Sequence, residues 1–156
     1  MGTWGASALD NDTAVDWVYG LGEVADFSLI EGTLDRALAC GDDMLYAADA
    51  EEGIAAAEAV ARLLGNFGVR NDYTRPMDDW VSWMTEKPSL GLLTKARGIV
   101  TRVQRPPSEL LEMWATSGKT EVRAHQSTSD SLPFASSARP FFPRRRATAR
   151  EFCSWR

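Results

Sequence analysis

The stretch DAEEGIAAAEAVARLLG, residues 49–65, decides the fold class of this chain. Its apolar residues recur at the spacing of an α-helix with a buried face. Asp49, followed three residues later by Glu52, predicts a capping box at the helix start, and Gly65 stands where a glycine commonly ends a helix. Because so many residues between them are alanines, we expect a helix that packs closely against its neighbours.

Five further segments have the same helical periodicity. Ser28 and Glu31 predict a second capping box, and Pro88 predicts a helix stop. No stretch alternates apolar and polar residues long enough to predict a strand. The sequence therefore predicts an all-α fold, a small compact bundle of about five to six helices within residues 1–118. The first predicted helix begins after residues 10–12, and the others cover 28–40, 49–64, 75–86, 89–102 and 109–117.

The charges divide the chain into two unlike regions. Residues 1–121 carry twenty acidic and ten basic side chains, whereas residues 122–156 carry two acidic and seven basic ones. An acidic excess repels nucleic-acid phosphate, so we expect the acidic domain to bind no nucleic acid. It favours solubility or a basic protein partner.

Residues 119–156 are rich in Ser, Arg and Pro and lack an apolar period, which is typical of a disordered tail. One interpretation is a basic arm that binds nucleic acid or an acidic surface, including that of this protein. The other is a segment never selected to fold, such as the product of a shifted reading frame in a GC-rich gene.

Several classes of protein are disfavoured by what the sequence lacks. It has no apolar run long enough to span a membrane and no start typical of a secretory signal, so we expect a soluble, cytoplasmic protein. Cys40 and Cys153 have no disulfide or zinc spacing, and Cys40 is expected to be a buried free thiol. The only histidine, His125, lies in the tail, and no phosphate-binding loop is present. We expect no cofactor and no enzyme.

The N-terminal sequence resembles the bacterial family called domain of unknown function 4259. The resemblance is carried by Met1-Gly2-Thr3-Trp4-Gly5, by Asp10-Asn11-Asp12-Thr13-Ala14 and Asp16-Trp17, by the Ala-rich stretch 55–60, and by the segment 108–114. It covers about residues 1–118 and implies a small helical bacterial domain with no assigned activity. The motif residues are interpreted as structural: Gly2, Trp4, Gly5, Asp10, Asn11, Asp12, Asp16 and Trp17.

The chain departs from the family after residue 114. The resemblance implies one more amphipathic helix there, where this chain has its Ser/Arg/Pro-rich tail. Trp80, Trp83 and Trp114 are expected in the core. If the missing helix normally covers the core, some of them become exposed and form a patch that binds a partner.

Asp10, Asp12 and Asp16 are the candidate metal ligands or acid–base groups. Asp12 and Asp16 lie one helical turn apart, and hard cations such as Mg²⁺ accept carboxylate oxygens. Positions six and twelve from Asp10 are Val15 and Leu21, which excludes an EF-hand loop. The alternative is that Asn11 or Asp12 caps the first helix, with the carboxylates near its positive end.

Three hypotheses of function are open from the sequence. The first is a non-enzymatic protein-interaction module, immunity-like or antitoxin-like in one version, whose acidic N-terminal half binds a basic partner. The second is a metal-dependent hydrolase that uses Asp10, Asp12 and Asp16. The third is a defective member of its family without a function.

Trp4 yields the first testable prediction. It lies between Gly2 and Gly5, whose conformational freedom permits a tight bend that folds the indole back onto the helices. The alternative is a tryptophan that stacks on a ligand at the mouth of a pocket. If the indole covers the core, Trp4→Ala lowers the melting temperature by several degrees, as measured by circular dichroism. An unchanged melting temperature would contradict this placement.

Overall fold

The computed structural model describes residues 8–116, which form six helices and no strand. This confirms the all-α prediction. The prediction of a disordered tail over 119–156 and the placement of Gly2, Trp4 and Gly5 lie outside the described residues. The helices are α1 Asp12–Leu21, α2 Ser28–Leu38, α3 Ala47–Leu63, α4 Arg75–Trp83, α5 Leu90–Val103 and α6 Glu109–Thr116.

Helix α3 is the centre of the fold and packs against each of the other five helices. Every residue from Ala55 to Arg62 is buried, so the helix has no solvent-facing stripe over more than two turns. Six of the eight residues in this run are apolar, which is typical of a helix in an interior, and the short alanine side chains let neighbouring helices approach closely. The close packing expected from the alanines is therefore confirmed.

Helices α3 and α5 approach each other closely at Gly53. A Cβ atom added there would lie 2.7 Å from Cγ1 of Ile99 and 3.4 Å from Cβ of Ala37. The first distance is too short for real atoms. The glycine is therefore required by packing, although glycine weakens a helix interior by about 1 kcal/mol relative to alanine.

The end of α3 follows the predicted pattern. Gly65 has φ +82°, the left-handed conformation that favours glycine. Its N–H donates to the carbonyl of Arg62, and the N–H of Asn66 donates to the carbonyl of Ala61. This pair of hydrogen bonds is a Schellman motif, which satisfies carbonyls that the helix itself leaves without partners.

The start of α3 differs from the prediction, since the helix begins at Ala47 and has no capping box. The N–H of Ala47 donates to Oε2 of Glu109, 2.8 Å away at the start of α6. Asp49 and Glu52 instead accept hydrogen bonds from Arg36 of α2. A carboxylate from another helix therefore accepts the backbone hydrogen bond that a local capping residue was expected to accept.

The capping box predicted at Ser28 and Glu31 is also wrong. The backbone N–H of Ser28 donates to Oδ1 of Asp26 at 2.9 Å, and the Ser28 hydroxyl donates to the same oxygen. These two hydrogen bonds lower the pKa of Asp26. Asp26 stands two residues before the helix, where its carboxylate can also interact with the positive helix end.

Two buried tryptophans form hydrogen bonds between different elements through their indole N–H groups. Trp17 of α1 donates to the hydroxyl of Thr33 on α2, and Trp80 of α4 donates to the carbonyl of Val24, both at 2.8 Å. Buried indoles need such partners because an unsatisfied N–H is costly away from water. The core placement predicted for Trp80 is confirmed.

Other predicted positions need correction. Trp83, expected in the core, ends α4 and is 76% exposed, and α4 stops there rather than at Glu86. Trp114 is half-buried. Cys40 is a free thiol, but it is half-buried rather than buried, and its sulfur donates to the carbonyl of Ala37.

Arg102 joins two connections that are distant in the sequence. It lies on α5 and is buried. A guanidinium can bind several carbonyl oxygens at once because its N–H groups are fixed in a plane. Its hydrogen bonds hold the α2–α3 connection against the α5–α6 connection, and they go to the carbonyls of Gly41, Asp43, Arg105 and Pro107.

The Gly53 contact predicts opposite effects of one substitution at two helical glycines. Gly53→Ala forces Ile99 to move and should lower the free energy of unfolding by about 1–3 kcal/mol. Gly32 of α2 is exposed, with nothing within 4 Å of its Cβ position, so Gly32→Ala should raise stability by about 0.5–1 kcal/mol. Urea denaturation of both variants checks this. Equal shifts in the same direction would mean that the α3–α5 contact is looser than described.

Candidate functional site

The structure places the predicted carboxylates at the start of α1. Asp12 is the first residue of the helix and Asp16 follows one turn later, and both are exposed. Asp10 precedes the helix, is half-buried and interacts within the protein. The cap is Asn11, whose side-chain oxygen accepts from the N–H of Ala14 at 2.7 Å. Of the two predicted capping residues, Asn11 is therefore the one that caps.

The three aspartates do not form a metal-binding group. Within residues 8–116, no three His, Cys, Asp or Glu side chains lie close enough together to hold one metal ion. A hard cation held by protein usually needs several oxygen ligands converging on one point. The metal role assigned to Asp10, Asp12 and Asp16 stays a prediction from sequence.

The solvent side of α1 is an acidic surface with an aromatic residue at its centre. Asp12, Asp16 and Tyr19 have the i, i+4, i+7 spacing that puts side chains on one helix face, and Glu23 lies in the turn that follows. All four are exposed, and Tyr19 is 64% exposed. We call these residues the acidic α1 face. The helix buries its other side, which consists of Ala14, Trp17, Val18 and Leu21.

The carboxylates of the acidic α1 face have no ion pair with any described residue. Elsewhere between residues 8 and 116, arginine and lysine side chains neutralise much of the acidity. Because α1 carries no basic residue, its negative charge has no local compensation. The pairs elsewhere include Arg36 with Asp49 and Glu52, Lys95 with Asp35, Arg75 with Asp72, and Arg105 with Asp42.

A second cluster of charges lies inside the protein, at the end of α3. The Arg62 side chain is only 1% exposed and contacts two carboxylates, Glu58 one turn before it and Asp78 on α4. It also donates to the carbonyl of Val69 at 2.7 Å. This single guanidinium thereby fixes the α3–α4 connection to both helices.

Three residues of the α3–α4 connection also contact this cluster or each other: Phe67, Gly68 and Arg70. Arg70 lies 3.7 Å from Oδ2 of Asp78, and its guanidinium stacks 4.0 Å from the centre of the Phe67 ring. A Cβ atom at Gly68 would lie 2.9 Å from Oε1 of Glu58, so the backbone approaches the carboxylate as closely as it can.

Burial raises the pKa of Glu58 above its usual value of 4.5. Arg62 and the backbone N–H of Gly68 act against this rise, since both favour the charged carboxylate, while nearby Asp78 adds to it. A perturbed carboxyl can signal a catalytic group. Here the Glu58 side chain is only 5% exposed and is already held by Arg62, so no substrate reaches it. The cluster acts as an anchor for the connection.

Part of both sites could have been found in the sequence. Tyr19 and Glu23 follow Asp12 and Asp16 on the face opposite the apolar stripe, a pattern visible without coordinates. The i, i+4 pair of Glu58 and Arg62 within an alanine-rich stretch also marks a charge that must be compensated.

Fold and surface together define a small all-α domain whose acidic α1 face forms no ion pair with residues 8–116. The chain belongs to the family described as a domain of unknown function (DUF4259), whose model matches residues 2–125. The match contains all the N-terminal motif residues and continues past residue 118, where the resemblance in the sequence ended. No curated protein and no solved structure matches the chain. No helix between residues 8 and 116 is long and apolar enough to cross a membrane.

The raised pKa of Glu58 predicts a specific dependence of stability on pH. Because the folded protein holds this proton more tightly than the unfolded chain, the stability linked to Glu58 is fully present below pH 4.5 and is lost as pH rises through the higher folded value. Glu58→Gln removes the titration. The wild type should therefore lose stability relative to Glu58→Gln as pH rises above 4.5, measured by urea denaturation at several pH values.

The exposed Glu31→Gln variant is the control for loss of a carboxylate in general. A difference between wild type and Glu58→Gln that stays constant or grows in favour of the wild type with rising pH would contradict the burial effect.

Proposed function

We propose that this domain is a non-enzymatic protein-interaction module whose acidic α1 face binds a basic protein partner. The proposal is supported by the exposed carboxylates around the exposed Tyr19, which form no ion pair within the described part of the chain. Tyrosines are enriched among the residues that dominate binding energy at interfaces, where they combine apolar area with a polar tip.

The charge arrangement supports a basic partner in particular. A carboxylate that already has an arginine partner gains little from a second cation, whereas Asp12, Asp16 and Glu23 form no ion pair with any residue between 8 and 116. Complementary charge also speeds encounter and suppresses acidic competitors. Because the contacts lie at the surface, binding should weaken as salt rises.

One version of the proposal is an immunity-like or antitoxin-like role, in which the domain covers a basic surface of its partner. Small size and acidity support it. The alternative of a metal-dependent hydrolase built on Asp10, Asp12 and Asp16 is favoured by no observation in the described part of the chain.

Neutralising the acidic α1 face should abolish most of the binding. Exposed ion pairs contribute about 0.2–1 kcal/mol each, so the loss of three should reduce affinity by about tenfold. The measurement is quantitative recovery of partners by the tagged full chain from lysate of the source organism, at low and moderate salt. The variant carries Asp12→Asn, Asp16→Asn and Glu23→Gln.

A matched control changes the net charge equally at exposed carboxylates on α2, on α4 and after α4. It should recover the partner as the wild type does. Equal recovery by both triple variants would overturn the assignment to α1, because only total charge would then matter. The control carries Glu31→Gln, Asp79→Asn and Glu86→Gln.

A further inference from the structure

We propose that a groove between the C-terminal end of α2 and the outer side of α5 binds a small organic anion, held by Arg97. The groove has a volume of about 450 Å³, within the range of small-molecule sites. We call it the α2–α5 groove. Its lining includes Leu38, Asp42, Arg97, Gly98, Thr101 and Arg105. No contact of the acidic α1 face contributes to it, so the inference is independent of the proposed function.

Arg97 is the first observation that points to an anion. Of the nine basic side chains between residues 8 and 116, seven are held by carboxylates or by backbone carbonyls. Arg97 and Lys87 have neither kind of partner among these described residues. Arg97 lies in the groove wall and is exposed, so its guanidinium is available to a carboxylate or phosphate.

Two neighbouring arginines make the groove positive within an acidic domain. Arg102 also lines it, and this side chain is buried and fixed by four carbonyl contacts, so its charge cannot move away. Arg105 pairs with Asp42, but both side chains are largely exposed, and such a pair is weak. An incoming anion can therefore take the place of Asp42 at little cost.

Gly98 leaves space in the wall of the groove. It lies within α5, where glycine costs about 1 kcal/mol relative to alanine. A Cβ atom there would meet Leu38 at 3.6 Å, an ordinary contact, so packing within the domain does not require glycine. The missing side chain leaves room between Leu38 and α5, which gives the groove an apolar floor beside its arginines.

This arrangement selects the chemistry of the ligand. The anionic group contacts Arg97, and an apolar part lies on Leu38 and Gly98. Carboxylates and phosphate monoesters both offer two oxygens to a guanidinium fork. The ligand is therefore a small molecule with one such group attached to an apolar portion.

The test uses three probes that share a ring and differ in charge: phenyl phosphate, benzoate and neutral benzyl alcohol. Each is titrated into the full chain while backbone amide shifts are followed by NMR. We expect at least one anion to bind with a dissociation constant of about 1 mM or tighter, with shifts at 38–42 and 97–105. Which anion binds better identifies the group, and benzyl alcohol should bind at least about tenfold more weakly.

Two single variants decide whether Arg97 is responsible. Arg97→Gln should weaken binding of the anion by about tenfold, whereas Lys87→Gln, which removes the other basic side chain without a partner, should leave it unchanged. Three results would overturn the site: no saturable shift with either anion, shifts centred outside the groove, or equal losses in both variants. Because α1 is untouched, recovery of a basic protein partner by these variants remains a separate result.

Discussion

The structure depends on the burial of α3 on every side. A central helix that touches five others must be narrow, and alanines together with Gly53 make it so. This constraint leaves little side-chain volume to anchor the connections at its ends. Charged groups do that instead: Arg62 fixes the connection that follows α3, and Arg102 fixes the one that precedes it. The desolvation of both guanidiniums is offset by their hydrogen bonds to carboxylates and carbonyls.

The charges of this acidic domain fall into two groups with different roles. Most arginines are committed to internal bonds or to pairs between helices, and these serve the fold. The carboxylates of the acidic α1 face and the guanidinium of Arg97 are committed to nothing in the described structure. Under the two proposals made above, opposite signs on separate helices would keep the site for a basic protein and the site for a small anion from competing.

The helices were predictable because their periodicity is local, and each of the six lies close to its predicted range. The hydrogen bonds that cap the helix starts were harder to predict than the helices themselves. Glu109 caps α3 from more than sixty residues away, a contact that no local pattern contains. At the start of α2 the side chain that accepts a backbone hydrogen bond is Asp26, two residues before the predicted acceptor Ser28. Both residue types are suited to this role, so the sequence alone does not choose between them. Trp83 was misplaced because its helix ends there, so nothing packs over its ring. The acidic α1 face was partly visible in the spacing of Asp12 and Asp16, whereas the availability of Arg97 depends on where every carboxylate lies.

The bond between Glu109 and α3 bears on how the protein is made. Helix α3 emerges from the ribosome early, with its first amide and its α5 side both lacking partners. Arg102 and Glu109 are synthesised about forty to sixty residues later, several seconds at ordinary translation rates. During that interval the chain has already made α1 and α2, but not yet the whole of α5 and α6, which cover other sides of α3. The side of the central helix that packs against α5 therefore stays uncovered on the newborn chain until α5 is complete.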